Sequence, residues 1–171
     1  MIRWLLVLLA CFSLHALAET RNPETHFFQP KLGDLKDDLA SARAEAKTGM
    51  LLMFEMDECP FCDRMKRTIL NQAEVQDYYR KHFVIYPIDT KGDIPLVDFT
   101  GKHTTEKAFA LEQRARATPV FIFYDLDGQP VARYTGATQS AAEFLLLGRY
   151  VVEGAYKQMP FSAYKRQVPA Q

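Results

Sequence analysis

Cysteine is scarce in this sequence, with three among 171 residues, and tryptophan scarcer still, with one. A small chain stapled by a disulfide framework is far denser in cysteine, so the cysteines here serve chemistry rather than stability. An excess of charge of one sign is also lacking, since 21 Lys and Arg stand against 21 Asp and Glu. Without a basic surplus there is no electrostatic footprint for nucleic acid, which excludes it as a partner. Long hydrophobic runs are missing as well. The best, Trp4 to Leu14, falls short of the ~20 residues that a membrane span needs. What remains is an ordinary globular balance, 48% hydrophobic and 25% charged, at a length that suits one domain.

The N-terminus bears on the compartment. Arg3, the apolar run and Ala16-Leu17-Ala18 before Glu19 form the pattern of a cleavable signal peptide, which predicts a periplasmic protein. Cleavage after Ala18 would remove Cys11 and leave Cys59 and Cys62 as the only cysteines. The alternative is "LLAC", Leu8 to Cys11, which resembles a lipoprotein box with Cys11 lipidated. The expected layout is a signal peptide over 1–18, an arm lying on the surface over 19–33, a domain over 34–156 and a tail over 157–171. A monomer is expected.

Within the domain, Asp34 caps a helix over "LKDDLASARAEAKTG", with Leu35, Leu39, Ala42 and Ala46 on one face and Gly49 as the stop. "MLLMFEM" reads as a buried strand. Next comes "CPFC", Cys59 to Cys62, and then a helix with Phe61, Met65 and Ile69 along one side. Asn71 and Glu74 have the spacing of a capping box that restarts a helix. "FVIYPID" reads as a second strand, near an edge because of Pro87. After a long loop, a helix covers "TTEKAFALEQRA". "PVFIFYDLDGQPVARYTG" is a hairpin turning on Asp127-Gly128, and Ser140 with Glu143 opens a final helix. Two strands joined by a helix want a parallel crossover, and the hairpin adds antiparallel neighbours. The predicted fold is therefore α/β, a mixed sheet flanked by helices.

In that topology Cys59 and Cys62 lie between the C-terminal end of a strand and the start of a helix, where functional sites of open α/β sheets gather. Unpaired amides and the helix dipole there favour a thiolate, which makes Cys59 the nucleophile. Cys62, one turn on, is close enough to close a disulfide and act as the resolving thiol. Pro60 stiffens the spacing. A metal site wants more ligands than two cysteines, and His26, His82 and His103 repeat no ligand spacing, so no metal is expected. A purely structural disulfide would close a loop too short to be a useful staple. Thiol–disulfide exchange is the expected chemistry, with the cysteine pair itself as the redox group and no further cofactor.

The strand–CPFC–helix start, Thr118-Pro119 before "VFIFYDLDG" and the last helix resemble the thioredoxin superfamily. "GDIPLVDFTGKHTTEKAFA", "ATPVFIFYDLDGQPVARYTG" and "FLLLGRYVVEGAYKQMPFSAY" are similar in more detail to the SoxW-type periplasmic thioredoxins of bacterial sulfur oxidation. The resemblance implies a thioredoxin fold, Cys59 and Cys62 as the redox pair, and Pro119 as a cis-proline preceded by Thr118. That loop would face the disulfide and, with Pro60 and Phe61, hold the substrate. Two positions depart from the family. Met53 stands where thioredoxins carry a buried proton-transfer aspartate, and Glu58 replaces the tryptophan before the first cysteine. Glu55 is the candidate substitute for proton transfer.

Asp57 and Glu58 place negative charge beside Cys59, which partly counters the helix dipole and leans the pair towards reduction. Arg64, Lys66 and Arg67 are expected on a solvated helix face. The expected partners are protein disulfides, among them a cysteine-bearing sulfur carrier if the SoxW resemblance holds, with a membrane thiol-electron transporter as the reductant. The alternatives are a thiol oxidase or isomerase, and a peptide-binding adaptor or chaperone that uses the groove beside Cys59 without redox turnover.

Overall fold

The computed structural model describes residues 19–168; the expected signal peptide and Cys11 lie outside the described residues. The elements are α1 (Pro23–His26), α2 (Leu35–Ala44), β1 (Gly49–Glu55), α3 (Pro60–Thr68), α4 (Ala73–His82), β2 (Phe83–Asp89), β3 (Pro95–Val97), β4 (His103–Thr105), α5 (Glu106–Glu112), β5 (Val120–Tyr124), β6 (Pro130–Thr135), α6 (Ala141–Val152) and α7 (Phe161–Gln167). Four strands form a mixed sheet in the order β2-β1-β5-β6, with β1 parallel to β2 and antiparallel to β5. This is the mixed sheet flanked by helices that the sequence predicts, as the thioredoxin resemblance also implies.

β1 is central and buried on both faces, which is why it reads as a continuous apolar run rather than an alternation. Its odd residues Leu51 and Met53 join Ile85, Phe121 and Phe123 in one core, closed by Met65 of α3, Tyr79 of α4 and Phe144 of α6. Its even residues Met50, Leu52 and Phe54 meet Leu35 and Leu39 of α2 and Phe109 of α5 on the other side. The first core is aromatic at its centre. Tyr79 stacks on Phe144 at 4.4 Å between ring centroids and donates its hydroxyl to the Phe144 carbonyl at 2.5 Å.

Several local expectations change. Asp34 caps α2 as read, through the amides of Lys36 and Asp37, but the helix ends at Ala44 and Ala46 takes the left-handed turn. Gly49 is not that stop. It opens β1, where a Cβ would stand 2.1 Å from the Tyr124 carbonyl oxygen, so the neighbouring strand demands glycine. Gln72 rather than Asn71 is the N-cap of α4. Phe61 is 58% exposed and leaves the face that Met65 and Ile69 bury. The long loop folds into a small β3–β4 hairpin. Ser140 does accept the Glu143 amide, while the Glu143 carboxylate takes the Gln139 amide instead of completing a reciprocal box.

The largest correction concerns residues 19–33, expected as an arm on the surface. Asn22 caps α1, and Phe27 and Phe28 are 0% and 3% exposed within the aromatic core. Beyond them the segment covers the free edge of β2. The Gln29 amide donates to the Ile85 carbonyl, the Gln29 side chain accepts the Ile85 amide, and Lys31 donates to the Pro87 carbonyl. An edge strand protected in this way cannot pair with a stranger. The C-terminal segment packs likewise, with Tyr164 of α7 buried and its hydroxyl donating to Glu153.

Candidate active site

β1 carries the chain to the C-terminal edge of the sheet, where Met56 to Glu58 turn it into α3. Glu58 has φ 57°, a left-handed conformation that costs a side-chain-bearing residue about 1 kcal/mol. The turn leaves Asp57 and Glu58 exposed and sets Cys59 at the N-cap of α3, with Pro60 at the first helical position. The Cys62 amide donates to Cys59 Sγ at 3.2 Å. Cys59 and Cys62 are joined as a disulfide, with Cα atoms 5.2 Å apart.

Across from the pair, the Thr118–Pro119 peptide bond is cis, and the Thr118 hydroxyl donates to Cys59 Sγ at 3.2 Å. Pro119 is buried, and Phe61 stands out as an apolar lip next to Pro60. The structure thus brings Cys59, Cys62, Pro60, Phe61, Thr118 and Pro119 to one place. Two donors converge on Cys59 Sγ and the helix N-terminus lies beneath it, which suits this sulfur to carrying negative charge.

Glu55 belongs to the same site. The β1–β2 register runs unbroken from Gly49 opposite Phe83 to Glu55 opposite Asp89, so Glu55 shares the face of Met53. A hollow of about 210 Å³ is lined by Cys62, Glu55, Lys66 and Asp89, with Asp57, Glu58 and Asp63 towards the surface. Burial holds the Glu55 carboxyl above its ordinary range, against the pull of Lys66. A carboxyl so raised, in a space it shares with Cys62, is more basic than an exposed glutamate and stands where it can exchange a proton with that thiol.

Lys66 departs from the solvated face expected for it. Its ammonium binds both oxygens of Glu55, at 2.9 and 2.8 Å, and Glu24 of α1 at 2.8 Å. Burial pulls its proton affinity down, and the two carboxylates more than offset that, so it stays charged. Arg64 donates to the Thr138 carbonyl, and only Arg67 of the three is exposed. Nearby, Lys31 pairs with the buried Glu106, whose other oxygen accepts the Asp89 amide at 2.8 Å. Glu24, Lys31, Lys66 and Asp89 are the site residues that sequence reasoning missed. The one usable signal was Glu55 itself, since a carboxylate at the end of a buried strand needs a cation. Among the described residues no group of three or more His, Cys, Asp or Glu is placed to hold a metal ion.

Comparison with known proteins agrees with this architecture. A family model described as a thioredoxin-like domain matches residues 35–152. Among solved structures the chain is similar to a thioredoxin-fold protein from Helicobacter pylori, with a TM-score of 0.58, 22% identity and coverage of 71% of this chain and 84% of that one. A thioredoxin from Thermus thermophilus gives 0.53 and 26%, covering 68% and 82%. The oxidoreductase DsbH gives 0.55 and 19%, covering 84% and 94%. No curated protein matches the sequence. The chain belongs to the thioredoxin-like domain family, and its disulfide-bonded Cys59-Pro60-Phe61-Cys62 centre makes it a thiol–disulfide oxidoreductase.

Proposed function

We propose that this chain is a periplasmic reductase of protein disulfides. The Cys59 thiolate attacks one sulfur of a substrate disulfide, and the sulfur released takes a proton. Cys62 then loses its proton to Glu55 and attacks Cys59 Sγ. This closes the Cys59–Cys62 disulfide and releases the second substrate sulfur, which is protonated in turn. Two electrons pass to the substrate; of the two protons it takes up, one is the Cys62 proton returned by Glu55 and the other comes from solvent. Pro60, Phe61, Thr118 and Pro119 form the lip on which the substrate rests.

The observation that carries the direction is the exposed Asp57-Glu58 pair immediately before Cys59, whose charge opposes thiolate formation and so destabilises the dithiol state. A membrane thiol-electron transporter is the fitting reductant in an oxidising compartment. A SoxW-type role, with a cysteine-bearing sulfur carrier among the acceptors, rests on the sequence resemblance. A second reading has its own support: the Thr118 hydroxyl and Cys62 amide at 3.2 Å from Cys59 Sγ stabilise a thiolate, which favours an oxidase or isomerase. Equilibration with glutathione separates the two. A reductase gives a potential below about −230 mV, and a value above about −200 mV overturns that direction. Insulin reduction with dithiothreitol must also be abolished by Cys59→Ser, whereas an intact protein without catalysis is a binding module.

A further inference from the structure

The N-terminal segment lies outside the stretch that matches the family model, yet it reaches the proton-handling end of the site. Lys66 has three oxygen partners, two from Glu55 and one from Glu24, all within 2.9 Å. Its ammonium is held over the Phe28 ring, 5.5 Å from the centroid, so a second residue of the same segment fixes its place. Glu24 follows the Asn22 cap of α1, and Arg21 and Glu19 tie that turn down through backbone bonds to Asn71 and Ala73. The contact is therefore anchored at both ends.

We propose that Lys66 and Glu24 are positioning residues for Glu55, and that the N-terminal segment is thereby a working part of the proton path that serves Cys62. This rests on the reading of Glu55 as the acceptor of the Cys62 proton. Lys66 holds the Glu55 carboxylate in one orientation at the wall of the hollow it shares with Cys62. Glu24 draws part of the Lys66 charge away from Glu55, leaving the carboxylate basic enough to take a proton. Without Glu24 the ammonium would serve Glu55 alone and weaken it as a base. Without Lys66 the carboxylate would stand buried with no cation bonded to it and hold its proton too firmly.

The other charges facing Glu55 are fixed in number. Asp89 lies opposite on β2, Lys31 approaches from the N-terminal segment and is itself engaged with Glu106, and Asp57, Glu58 and Asp63 line the outer part of the hollow. None of these bonds directly to the Glu55 oxygens, whereas Lys66 does.

The test is the pH profile of single-turnover disulfide reduction by the fully reduced full-length protein, with the Glu55 carboxyl followed in parallel by carbon NMR. Glu24→Gln is expected to lower the Glu55 midpoint by about half a pH unit, and Lys66→Gln to raise it by about one unit. Lys66→Arg, which keeps the cation, returns it towards the wild-type value. Shifts in opposite directions from two variants on the same side of Glu55 are not what loosened packing would give. Thermal unfolding of each variant checks that the fold persists, and Glu24, being half exposed, can be changed without opening the core. Glu55→Gln separates the two layers. If it leaves the rate profile unchanged, the role of Glu55 fails. If it removes an inflection that neither Glu24→Gln nor Lys66→Gln moves, Glu55 stands and the role of the N-terminal segment is overturned.

Discussion

Replacing Thr118 with valine removes one hydroxyl and nearly nothing else. The two side chains have the same shape, and Thr118 is only partly buried, so the fold should be kept. What is lost is the hydrogen bond to Cys59 Sγ at 3.2 Å. A hydrogen bond to a charged group contributes about 1.5 kcal/mol, and the Cys62 amide at 3.2 Å remains in place as the second donor. The thiolate population of Cys59 at neutral pH should therefore fall by up to about tenfold. The assay is the rate of iodoacetamide alkylation of the reduced protein, which follows the thiolate fraction. Thr118→Ser, which keeps the hydroxyl, should alkylate at nearly the wild-type rate. If valine and serine variants react alike, within about a factor of two of wild type, the hydroxyl does not support the thiolate and this account of the nucleophile is refuted.

Two further outcomes are expected. Gly49→Ala should cost about 3 kcal/mol, because the added Cβ meets a backbone carbonyl of β5 that cannot step aside; chemical denaturation with an unchanged slope would measure it, and a loss below about 1 kcal/mol would contradict the close approach. Glu55→Gln should stabilise the oxidised protein at pH 7. Burial raises the folded-state proton affinity of Glu55, so the native state is penalised once pH passes above the folded value, and the penalty is absent below the unfolded value. The gain in melting temperature should therefore vanish near pH 4, and a gain that persists there would point to another cause.

The elements legible in the sequence are those whose signal is local. β1 and β2 announce themselves as short apolar runs, the hairpin by Asp127-Gly128, and α6 by Ser140 and Glu143. The redox pair is legible because its spacing and its strand-to-helix position are both written in consecutive residues. The β3–β4 hairpin was missed because three-residue strands carry too few side chains to set a period. Asn71 and Gln72 compete for one cap, and Gln72, which takes it without a side-chain cap bond, is also bridged to Thr20 of the distant N-terminal segment. The N-terminal segment failed for a different reason. Phe27 and Phe28 have no periodic neighbours, and their burial depends on partners brought in by the fold, Tyr79 of α4 and Phe144 of α6 against Phe27 and Lys66 of α3 against Phe28. Lys66 follows the same logic, since its partners lie 11 and 42 residues away in sequence.

The cover that residues 28–31 lay over β2 has a consequence for where this protein begins as a folding unit. The family match starts at residue 35, and a gene trimmed to that boundary would look complete by resemblance. It would encode a protein with an open strand, a void where two phenylalanines had been, and a lysine at the redox centre missing one of its carboxylates. Such a fragment should aggregate through the bared β2, and any activity it kept would describe a different acid–base chemistry from that of the full chain.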